Sequence, residues 1–309
     1  MSEVIIIGGG LTGLAAACEL ESRKISYRLI EVKRRLGGSI LTKREAGFIM
    51  DGAGFEHEKY GDWPFLDELG LSEADALIPM GKYRDGQLVA FRDGTQTLTD
   101  AIAKRLTAPI MLRMAVSSLG QLGNGQFELC LENGLALTAR AVILTAPARY
   151  AEHMLRSFIP DAALLLMDYR YDPVVRVSLG YRAEDVPALP DASGLKFIQR
   201  YDLPERVPPD HVLIRAGVRL DESIQAPDDA IRRVRDRIPA QPVVQWAYYW
   251  PEADSLTRYL PEHQDNMDAL DHLLPPGLVI AGSDYRAKRI DQQVEQGRAA
   301  AQKIAESLG

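Results

Sequence analysis

Residues 4–13, VIIIGGGLTG, constrain the chain more than any other stretch. Four β-branched residues run straight into three glycines and then into an Ala- and Leu-rich helix-forming segment, with no room for an ordinary loop. A buried strand that turns at once into a helix is a junction where free amides and the positive end of the helix dipole face an anion. Each glycine has its own task. Gly8 permits the tight turn out of the strand, Gly10 removes the Cβ that would keep a pyrophosphate off the backbone, and Gly13 lets the helix lie close to the sheet. A second strand is expected over 26–32. It ends near Glu31, whose carboxylate is placed to accept hydrogen bonds from both ribose hydroxyls of an adenosine. A 2'-phosphate would bring a second anion against that carboxylate, which disfavours NADP.

After Glu31 come Lys33, Arg34 and Arg35, then a second glycine pair, Gly37 and Gly38, which suggests another close approach of backbone to an anionic or planar ligand. Taken with Gly8, Gly10, Gly13 and Glu31, the run from Arg35 to Gly38 resembles the flavin-containing amine oxidase and protoporphyrinogen oxidase superfamily. The resemblance implies that Arg35, Gly37 and Gly38 lie along the pyrophosphate of FAD, while Lys33 and Arg34 fall off the family positions and read as a solvated turn.

The C-terminal stretch GLVIAGSDYRAKRIDQQVEQGRAAAQKIAESLG is similar to the end of the same family. It has an apolar strand over 278–281, then Gly282, Ser283 and Asp284, and a helix with Val294, Ala300, Ala301 and Ile304 facing inward. The matching residues are Gly282, Asp284, Arg289, Ile290, Asp291 and Gly297. The resemblance implies that Asp284 lies near the ribityl chain. It also implies that the helix opening at Ile290 aims its N-terminus at the flavin pyrimidine carbonyl, where its dipole favours the negative charge of reduced flavin. Arg289 stands where the family has a small residue before the helix, and would add positive charge near the ring. Two motifs about 240 residues apart argue for FAD over NAD.

Composition narrows the remaining choices. A length of 309 residues is enough for about two folding units. With 36 basic and 43 acidic residues the formal charge is -7, so no basic field is available to attract nucleic acid or anionic lipid. The two cysteines, Cys18 in the first helix and Cys130 in an alternating strand, make no disulfide framework. The first apolar run reaches the glycines too soon for a secretory signal or a membrane span. A soluble cytoplasmic protein is expected, without a membrane anchor or a metal.

The expected fold class is α/β: a FAD-binding Rossmann-like domain of the glutathione-reductase type, with a second, mainly antiparallel-sheet α+β substrate domain. The expected nucleotide domain is discontinuous (1–57, 91–147 and 276–309), and 58–90 with 148–275 form the substrate domain. Asp51 to Gly54 are similar to the family segment that runs under the flavin. His57, one of five histidines, is a possible acid or base. A hairpin is expected at Asp85–Gly86 and a helix capped by Thr95 or Thr97. Glycine turns at 123–125 and 133–134 separate the strands of a meander, and family position points to Val116 at its start as an adenine contact; an ordinary core valine would look the same. In the second domain, DPVVRVSLGY and HVLIRAGVRL alternate as strands, and APDDAIRRVRDRIPA opens and closes as a helix. In QWAYYW, alternation puts Trp246, Tyr248 and Trp250 on one face, which either lines a flat apolar pocket or packs as core.

The interval between the Asp51 loop and the helix near Thr97 is only about 45 residues, far shorter than the helical insertion of the larger relatives. A compact or open site follows from this, and in size the chain resembles the renalase-like oxidases of the superfamily. The implied activity is hydride transfer from an amine, dihydropyridine or tetrapyrrole-like small molecule to flavin N5, with FAD held non-covalently. No catalytic base is assignable, and no Ser-His-Asp arrangement or metal cluster competes. The alternative is a non-catalytic flavin-binding or interaction protein on the same fold. The sequence leaves the oligomeric state open.

Overall fold

The computed structural model describes residues 3–220, 224 and 226–309. They form two compact units, one built from Met1–Gly38, Leu98–Arg170 and Ser255–Gly309 and the other from Ser39–Thr97 and Tyr171–Asp254.

The first unit is built on a parallel sheet. Val4–Ile7 lies in the middle, flanked by Ala141–Leu144 and Tyr27–Glu31, with Leu278–Ile280 and Ile110–Leu112 as the outer strands. Val4–Ile7 and Ala141–Leu144 are buried along their whole length, as continuous apolar runs must be when a parallel sheet is covered on both faces. The helices Leu11–Ser22 and Ile290–Leu308 pack against each other. They approach so closely that a Cβ on Gly297 would stand 2.3 Å from the carbonyl oxygen of Thr12 and 2.9 Å from Ala15 Cβ.

An antiparallel meander, Val116–Gln121, Phe127–Leu131 and Ala136–Ala139, completes this unit. Leu119, Phe127 and Leu129 share a core with Met154 and Leu155 of the helix Ala148–Leu155, Leu166 of Pro160–Met167 and Leu270 of His263–Leu273. This shared core holds 148–170 and 255–275 in the first unit, whereas the sequence suggested the second. Residues 39–57 and 91–97 lie instead in the second unit, where the Thr95 N–H donates to Asp51, the Gln96 N–H to Thr42 Oγ1 and the Thr42 N–H to Gln96 Oε1.

The second unit has a four-stranded antiparallel sheet in the order Phe197–Tyr201, His211–Val218, Val174–Arg182, Val244–Trp250. Alternation sends Val175, Val177, Leu179 and Tyr181 to one face, where they pack with Val212, Ile214 and Ala216 beneath Ile231 and Val234 of the helix Pro227–Arg235. That helix opens as its sequence suggests, with Pro227 in its first turn and Asp229 accepting the Ala226 N–H at 3.0 Å. The hairpin Thr42–Glu45 and Phe48–Asp51 and the three-stranded sheet of His57–Lys59, Gly86–Phe91 and Leu77–Tyr83 make up the rest, with the short helices Pro64–Glu68 and Glu73–Ala76. The expected hairpin turns at Arg84 and Asp85, Arg84 taking φ +53°. The chain is thus an α/β protein with a Rossmann-like sheet and a second, mainly antiparallel part.

Candidate functional site

In the first unit the chain leaves the sheet at Gly8, whose φ of +107° a side chain would resist. A Cβ on Gly13 would lie 2.0 Å from the Gly8 carbonyl oxygen, so helix and turn meet only with glycine there. Gly10 is different. A Cβ there would meet nothing closer than Gly38 Cα at 3.8 Å, so protein packing does not require a glycine, and space is kept open over the turn. Gly10 is also the N-cap of Leu11–Ser22. No side chain caps that end and no acidic residue sits in its first turn, which leaves its amides and dipole uncompensated.

Glu31 is 5% exposed and braces two turns at once: its Oε2 accepts the Gly9 N–H at 2.6 Å and its Oε1 the Lys33 N–H at 2.7 Å. Each oxygen keeps a further lone pair. The second glycine turn closes on the first through the Gly37 N–H, which donates to Gly9 O at 2.7 Å. Arg35 laces that turn, donating to Leu36 O at 2.9 Å and to Gly38 O at 3.0 Å. Lys33 and Arg34 are exposed, although the Lys33 ammonium also donates to Gly38 O at 3.1 Å. Val116, 8% exposed, follows a stretch anchored to the same strand end, for the Met114 N–H donates to Glu31 O at 3.1 Å. It lies in one core with Ile5, Ile7 and Ile30.

The C-terminal candidates join the glycine turn through Thr145. Its Oγ1 lies 3.0 Å from the carbonyl oxygens of both Ile7 and Gly8, and the Ala281 N–H donates to neighbouring Leu144 O at 3.0 Å. Gly282, with φ +142°, donates its N–H to Gln296 Oε1 at 2.8 Å. Asp284 is buried and its Oδ2 accepts the Ala148 N–H at 2.9 Å, so this carboxylate engages the N-terminus of Ala148–Leu155. Ile290 is buried as the first residue of its helix. Arg289 makes a bidentate pair with Asp291, at 2.7 Å and 3.1 Å, which neutralises the extra charge its position suggested. Thr145 was not among the expected site residues; in the sequence it stands only in a Thr-Ala-Pro strand ending similar to the family's Ala-Thr-Pro.

The second unit holds a buried polar cluster that no local motif announces. Arg206 has no exposed surface and Asp51 only 1%; they pair at 2.8 Å. Arg206 also donates to Ile49 O at 2.9 Å and Phe91 O at 2.7 Å, while Asp51 accepts from Thr42 Oγ1 at 2.6 Å and the Thr95 N–H at 3.0 Å. Thr95 therefore serves Asp51, and it is Thr42 Oγ1 that accepts the Gln96 N–H, at 3.1 Å, where the helix Gln96–Ala103 begins. His57 Nε2 lies 2.9 Å from Thr95 Oγ1. Burial pushes its pKa down to about 4, with Arg206 and Arg215 adding to the effect and Asp51 opposing it. A ring that stays neutral through the ordinary pH range keeps one N–H and one acceptor nitrogen and carries no charge, so His57 belongs to this cluster as a neutral hydrogen-bonding group.

The sheet face opposite the helix Pro227–Arg235 carries Arg176, Ser178 and Arg215 together with Trp246, Tyr248 and Trp250. The aromatic alternation read from the sequence holds: the rings of Trp246 and Tyr248 are 5.9 Å apart. The Tyr248 ring packs against Gly52, where a Cβ would come within 2.7 Å of it. Among the described residues, no group of three or more His, Cys, Asp or Glu is arranged to hold a metal ion, and no helix is long and apolar enough to cross a membrane.

A parallel sheet whose central strand opens through a glycine turn into a helix, with an acid ending the next strand, defines a Rossmann-type dinucleotide-binding fold. The flavin containing amine oxidoreductase family matches residues 55–305 and the NAD(P)-binding Rossmann-like domain matches residues 6–63. The chain belongs to the flavin containing amine oxidoreductase family, and membership implies a flavin cofactor. It is 27% identical over 272 residues to protoporphyrinogen oxidase 1, chloroplastic, of Spinacia oleracea, covering 76% of this chain and 48% of that protein. The chain spans about half the length of the curated relatives it matches. Among solved structures it is similar to a protein of Exiguobacterium sp. 255-15 assigned as a protoporphyrinogen oxidase (TM-score 0.71, 16% identity, 99% of each chain covered). It is also similar to cyclohexylamine oxidase from Brevibacterium oxydans (TM-score 0.69, 16% identity, 99% of each chain).

Proposed function

We propose that the chain is an FAD-dependent oxidoreductase acting on a small reduced molecule, an amine, dihydropyridine or tetrapyrrole-like compound, and that FAD is held without a covalent bond. One observation carries the reading: Gly10 keeps space over a helix N-terminus that no side chain caps, next to the second glycine turn. A dinucleotide pyrophosphate fits that space, where the amides supply hydrogen bonds and the dipole supplies charge. In this reading Gly8, Gly10, Gly13, Arg35, Gly37 and Gly38 shape the phosphate cradle. Glu31, already ordered by two backbone donors, turns its remaining lone pairs to the ribose. Val116 walls the adenine, and Gly282, Asp284 and Ile290 form the flavin end. When bound, the flavin supplies the redox chemistry, its N5 accepting a hydride from the substrate. The chain's part is to position the donor, and no protein base is assigned.

The test begins with the purified protein. It is expected to be yellow, to carry about one FAD per chain, and to release that FAD intact on acid precipitation. A chain that stays colourless after reconstitution, with no flavin in its mass spectrum, overturns the reading. Glu31→Ala is expected to weaken FAD binding by about 1–3 kcal/mol, the cost of losing hydrogen bonds to a charged group. Anaerobic mixing with candidate amines, dihydropyridines and reduced tetrapyrroles then separates an oxidoreductase, whose flavin bleaches, from a flavin-binding protein, whose flavin does not.

A further inference from the structure

Two guanidinium groups share one face of the antiparallel sheet in the second unit. Arg176 pairs with Gly217 and Arg215 with Ser178, which makes the arginines diagonal neighbours on adjacent strands. Arg215 is 4% exposed, and its Nη2 donates to the Asp51 carbonyl oxygen at 2.7 Å. Its guanidinium stacks on Phe55 at 4.7 Å, while that of Arg176 stacks on Phe197 at 4.7 Å and Trp250 at 5.9 Å. The Nε atoms of both are buried with no hydrogen-bond partner among the described residues. Neither guanidinium makes an ion pair among the described residues: of the nearby carboxylates Asp51 is paired with Arg206, Asp172 with Lys196 and Arg219, and Asp254 with Lys196, while Glu56 lies by the Tyr201 hydroxyl.

Burial, opposed by Tyr201 and Asp51 and reinforced by Arg176 and Arg206, pulls the Arg215 pKa down to about 10. It remains charged at neutral pH. Ring stacking offsets part of the cost of burying these cations but satisfies none of their in-plane N–H groups. The face is not sealed, since Arg176, Trp246, Tyr248 and Trp250 each keep part of their surface exposed.

We propose that Arg176 and Arg215 form a carboxylate-binding site on this sheet face, which takes an acid group borne on a flat apolar frame and rejects ligands that carry an ammonium. A carboxylate accepts the unmade N–H bonds and adds the ion pair that neither guanidinium makes. The aromatic row of Trp246, Tyr248 and Trp250 takes the apolar frame beside it. An ammonium would meet two like charges in a poorly solvated place. That the acid belongs to the oxidised substrate rests on the flavin reading above; the binding itself does not.

The probes are 2-naphthoate and 2-naphthylmethylamine, which share a ring and differ in charge. They are titrated calorimetrically and by tryptophan fluorescence into the full chain, with flavin content measured separately on the same samples. 2-Naphthoate is expected to bind and the amine not to bind. Arg176→Leu is expected to weaken 2-naphthoate by about tenfold or more, as loss of a charge-assisted bond implies, while melting no lower than the parent protein. Arg176→Lys, which keeps the charge without the fork, is expected to fall between the two. No binding of 2-naphthoate to the parent chain, equal binding to the folded Leu variant, or tighter binding of the amine each overturns the proposal. A colourless preparation that still binds 2-naphthoate through Arg176 overturns the flavin reading alone.

Discussion

Arg206 is enclosed by its acceptors: it spans Ile49 O, Phe91 O and the Asp51 carboxylate with no surface exposed to water. Arg206→Met strands the Asp51 charge in the interior and is expected to cost about 3–5 kcal/mol in urea unfolding. Pairing it with Asp51→Asn should cost less than the sum of the single changes, and strict additivity would show that the two do not interact. His57 adds a pH dependence from the same cluster. Its folded pKa, about 4, lies below the usual value of 6.5, so between those limits the unfolded chain binds the extra proton. Stability is therefore full above pH 6.5 and falls as the pH drops toward 4, by about 1.4 kcal/mol per unit at the steepest. In urea titrations across this range His57→Gln should flatten the slope; an unchanged slope would assign it to other groups.

Among the elements, the two long helices and the glycine turn separate folding from binding. Gly297→Ala puts a methyl 2.3 Å from Thr12 O, and is expected to destabilise the chain by about 1–3 kcal/mol as the helices are forced apart. Gly10→Ala meets only Gly38 Cα at 3.8 Å, so melting without FAD should stay near the parent value while FAD affinity falls. A variant that melts early and binds FAD normally would reverse the assignment. Elements of this kind were legible because their signals are local. The strand, turn and helix from Val4, the meander, and the alternation of 174–181 each show their period within about ten residues. The three-stranded sheet of 57–91 was less legible. Its edge strand His57–Lys59 is three residues long, too short to display a period.

At the scale of the whole molecule, the chain passes between its units at 38, 97, 170 and 254, so neither unit is a continuous segment. A fragment of residues 1–97 lacks Ala141–Leu144, the neighbour of Val4–Ile7, and is expected to show no cooperative melt by circular dichroism. For the full chain, FAD at a hundredfold excess over its dissociation constant should add about 2.7 kcal/mol of stability, and an unmoved melting curve would deny binding. The sequence by itself determined the glycine turns, the acid that ends the second strand, the parallel core and the two-part organisation. Each follows from backbone sterics or from a period repeated over neighbouring residues. Only the tertiary structure decided that the polar positions of an alternating strand are covered, Ser178 wholly and Arg176 in part. Alternation orders the two faces of a strand, but which face meets water depends on what packs over it. Here Phe55 stacks on Arg215, and Asp51 pairs with an arginine 155 residues away, a distance across which no local pattern carries information.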